Sequence, residues 1–315
     1  MPLVQRAYEL WTELEIETHQ TLFQRTGGLM IGPSDGVLIG GAKHSADAHH
    51  LPYEMLATAE IRDRFPAFNL GEEMVGLWEP RAGILFPEKC VEAHLNLARH
   101  NGAELHFDEM VTGWQAKSDG AIVTTTKASY RAARFLLTAG AWISKLLYDL
   151  RIILIVKRQV LFWFNPATNK ENFSPERFPI FILEYGADRH FYGFPDLGSG
   201  VKIAIHHQGE TAEPDNLRRE VDHEEIEKVR ELLRRFIPHA DGALLNTAVC
   251  MYTNTPDFHF LIDTHSNFPQ VTIASPCSGH GFKFSSAIGE VLADIITTGR
   301  SAFDLSMFQL KRFAP

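Results

Sequence analysis

Residues 158–249 read as a succession of strands interrupted by one helix, and this block limits the fold more than any other feature of the 315 residues. Segments 160–164, 180–183, 191–194 and 201–206 are short, rich in apolar residues and separated by turn signals, which is strand behaviour. Within the block, Ile226, Val229, Leu232 and Leu233 recur at helical spacing and predict a helix over 224–236. A second strand series precedes the block, at 104–107, 110–115, 121–126 and 134–138, the last running into a helix through Leu147. After it, strands at 248–252, 259–262 and 271–274 lead to a final helix over 282–297.

The N-terminal part is more helical. Leu3, Ala7, Leu10, Trp11, Leu14 and Leu22 form the stripe of an amphipathic helix expected over 4–23 and stopped by Gly27-Gly28. Leu29-Met30-Ile31 suggests a short strand, and 34–50, with His44, His49 and His50, permits a surface helix without requiring one. A helix over 57–65 ends at Pro66, a strand covers 74–79, and Pro87 opens a helix through Arg99 with Val91, Leu95 and Leu97 turned to a core. The fold class is therefore mixed α/β, and a chain of this length has room for two compact units or for one large α/β unit with a satellite sheet.

Composition narrows function by exclusion. Thirty basic against 39 acidic residues leave a formal charge of −9, which argues against nucleic acid or an anionic membrane as partner. The longest apolar stretch near the middle, 152–156, is flanked by Arg151, Lys157 and Arg158 and is far too short to span a bilayer. Three cysteines are too few for a disulfide framework and fit a reducing, cytoplasmic setting. No H-E-x-x-H or paired-cysteine spacing supports a metal site, although there are 15 histidines, and no G-x-S-x-G supports a serine hydrolase.

Three segments carry the chemistry. One is Cys250-Met251-Tyr252-Thr253, ending a strand; the second is Ser278-Gly279-His280-Gly281-Phe282-Lys283-Phe284, a bend that opens the last helix; the third is Tyr192-Gly193-Phe194-Pro195 with Lys202 and His206 downstream. Together with Tyr8-Glu9-Leu10-Trp11, Gly83-Ile84-Leu85-Phe86, Thr138-Ala139-Gly140-Ala141-Trp142 and Arg158-Gln159-Val160, they make the chain resemble the monomeric sarcosine oxidase family, which includes N-methyltryptophan and pipecolate oxidases within the D-amino acid oxidase-like flavoproteins. The resemblance implies a Rossmann-like FAD-binding domain over 1–25, 84–153 and 250–315 and a mixed or antiparallel sheet substrate domain over 26–83 and 154–249. The implied activity is FAD-dependent oxidation of a small secondary (N-methyl) amino acid, with oxygen as acceptor and hydrogen peroxide as product.

By the same resemblance Cys250 is the residue joined to the flavin as a thioether, whereas Cys90 and Cys277 match no such position and read as buried hydrophobes. Lys202 matches the lysine that promotes reaction with oxygen, and His206 an active-site histidine. Four residues apart on one strand, they share a sheet face, while His207 is expected on the other face in a structural or exposed role. Tyr192 and Tyr252 match pocket tyrosines, and Lys283 matches the partner of the substrate carboxylate. A lysine at a helix N-terminus opposes the helix dipole, which favours a functional reason for it. Gly279, His280, Gly281 and Phe282 would pass the flavin ring, and Ala139, Gly140 and Trp142 the dinucleotide.

The resemblance also implies an upstream βαβ unit and its continuation, on the order of 60 residues, with G-x-G-x-x-G, an acid for the ribose and an arginine that helps Lys283. None of these lies in the present 315 residues, so the competing expectation is a noncatalytic, truncated remnant that acts at most as a binding module. The segment 151–157 departs from the family's proline-containing strand entry.

Overall fold

The computed structural model describes residues 1–147, 150 and 154–313, so part of the 151–157 departure lies outside the described residues. The N-terminal half runs α1 (Pro2–Thr18), β1 (Phe23–Arg25), β2 (Gly28–Pro33), α2 (Val37–Ala48), β3 (Glu54–Ala57), α3 (Thr58–Arg64), β4 (Met74–Glu79), β5 (Gly83–Leu85), α4 (Pro87–His100), β6 (Val111–Lys117), β7 (Gly120–Thr125), β8 (Ser129–Ala132), β9 (Phe135–Leu137) and α5 (Ile143–Leu146). The remainder runs β10 (Ile155–Asn165), β11 (Ile180–Gly186), β12 (Arg189–Phe194), β13 (Val201–His206), α6 (His223–Phe236), β14 (Ala243–Asn254), β15 (Leu261–His265), β16 (Phe268–Ser275) and α7 (Ser285–Thr298).

An eight-stranded mixed sheet, in the order β14-β10-β13-β12-β11-β2-β4-β3, dominates the molecule. Only the β11–β2 pair in it is parallel. Alternation along its strands separates two jobs. Phe162, Phe164, Phe181, Leu183, Phe191 and Ile203 are buried in one cluster with Val229, Leu232, Leu233 and Phe236 of α6. Their neighbours Trp163, Tyr192, Phe194 and Lys202 belong to the opposite face, where cross-strand register aligns Trp163 and Phe194 with Lys202. The α6 helix that covers the first face begins with a capping box, the Asp222 carboxylate accepting from Glu225 N and the Glu225 carboxylate from Asp222 N. Asp222→Ala should lower stability by about 1 kcal/mol in chemical denaturation, with unchanged site chemistry.

A second cluster joins α1, α4 and α7, with Leu3, Ala7, Trp11 and Leu14 packed against Cys90, Ala93, Ile288 and Val291. It lies beside a three-stranded sheet, β15-β16-β9, in which β9 and β16 run parallel. The expected mixed α/β class with mixed and antiparallel sheets is what the chain adopts.

Several local expectations need correction. The first helix stops at His19, in the left-handed region at φ 54°, well before Gly27-Gly28. Glu15 Oε1 accepts from Leu22 N (2.7 Å) and Phe23 N (2.9 Å), which folds the chain back there and puts Leu22 outside the helix. Residues 104–107 join no sheet among the described residues, whereas β5 and β8 form where no strand was expected. Val91 is 48% exposed; the buried face of α4 is made by the small residues Cys90 and Ala93, which let the helix sit close to its neighbours. The optional helix at 34–50 forms as α2, with Leu38 N donating to the buried Glu184 Oε2 (2.9 Å), a carboxylate set at its N-terminus. No helix among the described residues is long and apolar enough to cross a membrane.

Candidate active site

A cavity of about 1010 Å³ opens between the second face of the large sheet and the α1–α7 layer. Its walls come from α1 (Tyr8, Trp11), the β5 region, the turn at Gly140–Trp142, the strand end at Cys250–Thr253 and the bend at 279–283. Cys250, Tyr252, Gly279, His280, Gly281, Phe282, Lys283, Gly140 and Trp142 all line it. Ala139 does not; it packs against the cluster around Trp114 and Leu137.

Three further expected residues stand directly behind the wall. The Tyr192 and Tyr252 hydroxyls are 3.3 Å apart, and the Tyr252 hydroxyl is 3.4 Å from His206 Nδ1, so β12, β14 and β13 are linked by a short polar chain. Lys202 Nζ sits 5.2 Å from the Trp163 ring centroid and 5.0 Å from that of Phe194, which itself lines the cavity. Residue pairing explains the gathering, because Gln159 of β10 faces Cys250 while Lys157 faces Tyr252.

The bend is shaped by backbone demands. Gly279 has φ +76°, and a Cβ there would lie 2.6 Å from the Tyr252 ring. At Gly281 a Cβ would stand 1.7 Å from the Pro276 carbonyl oxygen, so only glycine lets the chain turn into α7. Trp11 secures the next step, donating from Nε1 to Lys283 O (3.0 Å) and stacking on Phe282 at 6.1 Å. Lys283 Nζ in turn donates to His280 O (2.9 Å).

Enclosure sets the protonation of these groups. Burial, with Tyr252 as the next cause, raises the Tyr192 phenol, and burial likewise raises Tyr252 and the Cys250 thiol, which the Lys202 charge draws partly back. Burial lowers Lys202. It also lowers His206 to about 3, helped by the neighbouring His207, His190, His280 and Lys283. Lys283 is open to the cavity, yet the surrounding walls bring its ammonium down to about 8. At neutral pH the site holds protonated tyrosines, a neutral His206 and two cations.

One expectation reverses. His207 does not turn away from the site: φ is +58°, and the left-handed turn after β13 swings its ring back to 4.0 Å from His206 and 5.2 Å from Tyr252. Strand alternation holds only while the backbone stays extended, and it ends at His206. Cys277, read as a buried hydrophobe, is half-buried and lines the cavity. Cys90 is fully buried, 3.8 Å from the Leu22 carbonyl, as a small hydrophobe would be. Trp163 carries no local signal of a site role; only strand register brings it to Lys202.

Residues 1–295 match the family described as FAD dependent oxidoreductase, DAO. The chain belongs to that family. It is 40% identical over 318 residues to a monomeric sarcosine oxidase of Streptomyces avermitilis, covering all of this chain and 83% of that protein. It is 32% identical over 315 residues to an N-methyl-L-tryptophan oxidase of Yersinia pestis, covering 99% of this chain and 84% of that one. The fold also matches NikD, an amino acid oxidase essential for nikkomycin biosynthesis, with a TM-score of 0.84 at 24% identity over 98% of this chain and 82% of that one. This DAO-family chain is thus similar to FAD-dependent amine and amino acid oxidases along its whole described length.

FAD suits what the cavity offers. Its volume is at the upper end for small-molecule sites, and its walls combine aromatic rings with a thiol and a cation. Gly140, at φ +53° and with nothing within 4 Å of where a Cβ would project, leaves open space on the wall that any side chain would take up.

Proposed function

We propose that this DAO-family chain oxidises a small secondary (N-methyl) amino acid with FAD and oxygen, releasing hydrogen peroxide. The observation that carries the reading is the convergence on one cavity of Cys250, Tyr252 and Lys283, with Lys202, His206 and Tyr192 immediately behind. The relatives named for sarcosine and N-methyltryptophan support the amine class. The division into a cofactor half over 1–25, 84–153 and 250–315 and a substrate half over 26–83 and 154–249 belongs to the same proposal. It is supported by the composition of the two large apolar clusters.

Bound FAD would supply two-electron oxidation of the substrate C–N bond to an imine, which water hydrolyses, the electrons leaving with oxygen. The chain's residues do the rest. Cys250 would hold the ring through a thioether, and Gly140, Trp142, Gly279, Gly281 and Phe282, which line the same cavity, would flank it. Lys283 pairs with the substrate carboxylate and gives up its bond to the His280 carbonyl to do so. The protonated hydroxyls of Tyr192 and Tyr252 close one side of the pocket, and a neutral His206 offers a lone pair near the amine. Lys202, partly buried between aromatic rings, would face the negative charge that develops as oxygen is reduced.

The direct test is reconstitution of the purified full chain with FAD followed by a peroxide assay over a panel of N-methyl amino acids. Stoichiometric peroxide with loss of the N-alkyl group as aldehyde is expected. A chain that takes up no FAD and releases no peroxide would instead be the noncatalytic binding module. Lys283 adds a pH signature, because its charge is lost near pH 8 rather than near 10.5. Affinity for a small carboxylate without an amine should fall about tenfold between pH 7 and 9, as measured by calorimetry. An affinity flat across that window would remove Lys283 from carboxylate binding.

A further inference from the structure

His207 bears two costs that a purely structural histidine would shed. Its backbone sits in the left-handed region at φ +58°, and its Nδ1 is buried with no hydrogen-bond partner among the described residues. Buried unpaired N–H groups are rarer than unpaired acceptors, so the neutral tautomer with its proton on Nε2 fits this position. The ring is wedged among His206 (4.0 Å between centroids), Phe258 (4.8 Å) and Tyr252 (5.2 Å). Its Cε1 is 3.1 Å from the point where Gly279 would carry a Cβ, so the ring also packs directly on the bend.

The geometry points to His207 as a positioning residue of the oxidase site: its ring, turned back by the left-handed turn, locks the Tyr192–Tyr252–His206 chain in register and shields His206 from water. This rests on the function proposed above. Tyr252 carries the hydrogen-bond chain between the Tyr192 hydroxyl and the His206 imidazole, at 3.3 and 3.4 Å, and His207 is packed against both Tyr252 and His206. Without the ring, water would reach His206 and the Tyr252 hydroxyl would be free to leave both partners.

The groups facing His206 make its protonation a sensitive gauge of this shielding. They are His190 and Tyr192 on β12, Tyr252 on β14, and His280 and Lys283 on the bend, with His207 at its side. Most of the potential charges there are positive, so burial and like charge act together to keep the imidazole neutral. Removing His207 relieves both causes. The titration of His206 should therefore move up, whereas a loss of packing elsewhere would leave it alone.

The experiment compares the full chain with His207→Ala and His207→Phe, following the His206 ring resonance by NMR from pH 3 to 8, assigned with His206→Gln. In His207→Ala the His206 midpoint should rise by about two pH units or more, toward the unperturbed value near 6.5. Phenylalanine retains the ring and its exclusion of water, so His207→Phe should keep His206 neutral to below about pH 5. In turnover, His207→Ala should show an acid limb displaced upward and a kcat lower on the order of tenfold, with KM changed less than about twofold, since Lys283 is untouched. Should His207→Ala fold poorly, His207→Asn, which tolerates the left-handed backbone, takes its place. An unmoved His206 midpoint in a folded alanine or asparagine variant overturns the proposal, as does a phenylalanine variant indistinguishable from alanine. The NMR readout is independent of turnover, so absence of oxidase activity would count against the proposed function without deciding the role of His207.

Discussion

Cys250→Ser should convert acid-stable flavin into flavin that is fully released when the protein is precipitated in acid. The thiol lines the cavity on β14, half-buried, within the electrostatic reach of Lys202. Enclosure raises its pKa and works against the nucleophilic thiolate, while the Lys202 cation opposes that rise. Proximity to a bound ring would compensate for a small thiolate fraction, because a held pair reacts as if at very high concentration. Under the proposed function, forming the thioether would remove one hydrogen from the thiol and one from the ring methyl group, and oxygen would take up both as hydrogen peroxide. Serine is nearly isosteric and lacks the soft nucleophile, so noncovalent uptake should persist while the acid pellet loses its yellow colour. Colour retained in the pellet of Cys250→Ser would show that Cys250 is not the attachment point, and Cys277 on the same cavity wall would be next to test.

Lys202→Met should slow the oxygen step on the order of 10²-fold while leaving anaerobic reduction by substrate within about a factor of two. The two rings that flank Nζ at 5.2 and 5.0 Å would accept the unbranched methionine side chain, so the variant removes charge with little loss of packing. Reduction of oxygen would build negative charge beside a partly buried cation, where the lower local dielectric makes a fixed charge worth more than in bulk solvent. Removal of hydrogen from the substrate develops no such charge near Lys202. Stopped-flow mixing separates the two half-reactions. Equal slowing of both, or of neither, would detach Lys202 from oxygen chemistry.

Acidification supplies a test of a different kind. His206 is held neutral to about pH 3 when folded, whereas an exposed histidine titrates near 6.5. Its folded pKa is depressed, so the unfolded chain binds the proton more readily, and the stability present above 6.5 is lost as pH falls from there toward 3. The melting temperature should decline over that window, less steeply in His206→Gln; equal slopes in the two proteins would mean that His206 titrates normally in the fold.

Much of this site was legible in the chain. Lys202 and His206 share a strand and therefore a face, and the glycines at 279 and 281 announced a bend that no side chain could make. Other features had no local signature. Trp163 meets Lys202 because β10 pairs with β13 in one register and no other, and Trp11 meets Lys283 across 272 positions of sequence. The strand expected at 104–107 illustrates the reverse case, since β-propensity yields a strand only where another edge lies beside it.

The sequence by itself determined the inventory of the pocket: which residue carries a thiol, which carry charge, which must be glycine, and on which strand or bend each stands. The tertiary structure alone decided how they meet. A change in the sign of φ at His207 brought a ring expected on the far side into contact with the site, and strand register and helix packing enclosed the cations with aromatic rings. Those choices depend on partners distant along the chain, so no window of residues encodes them.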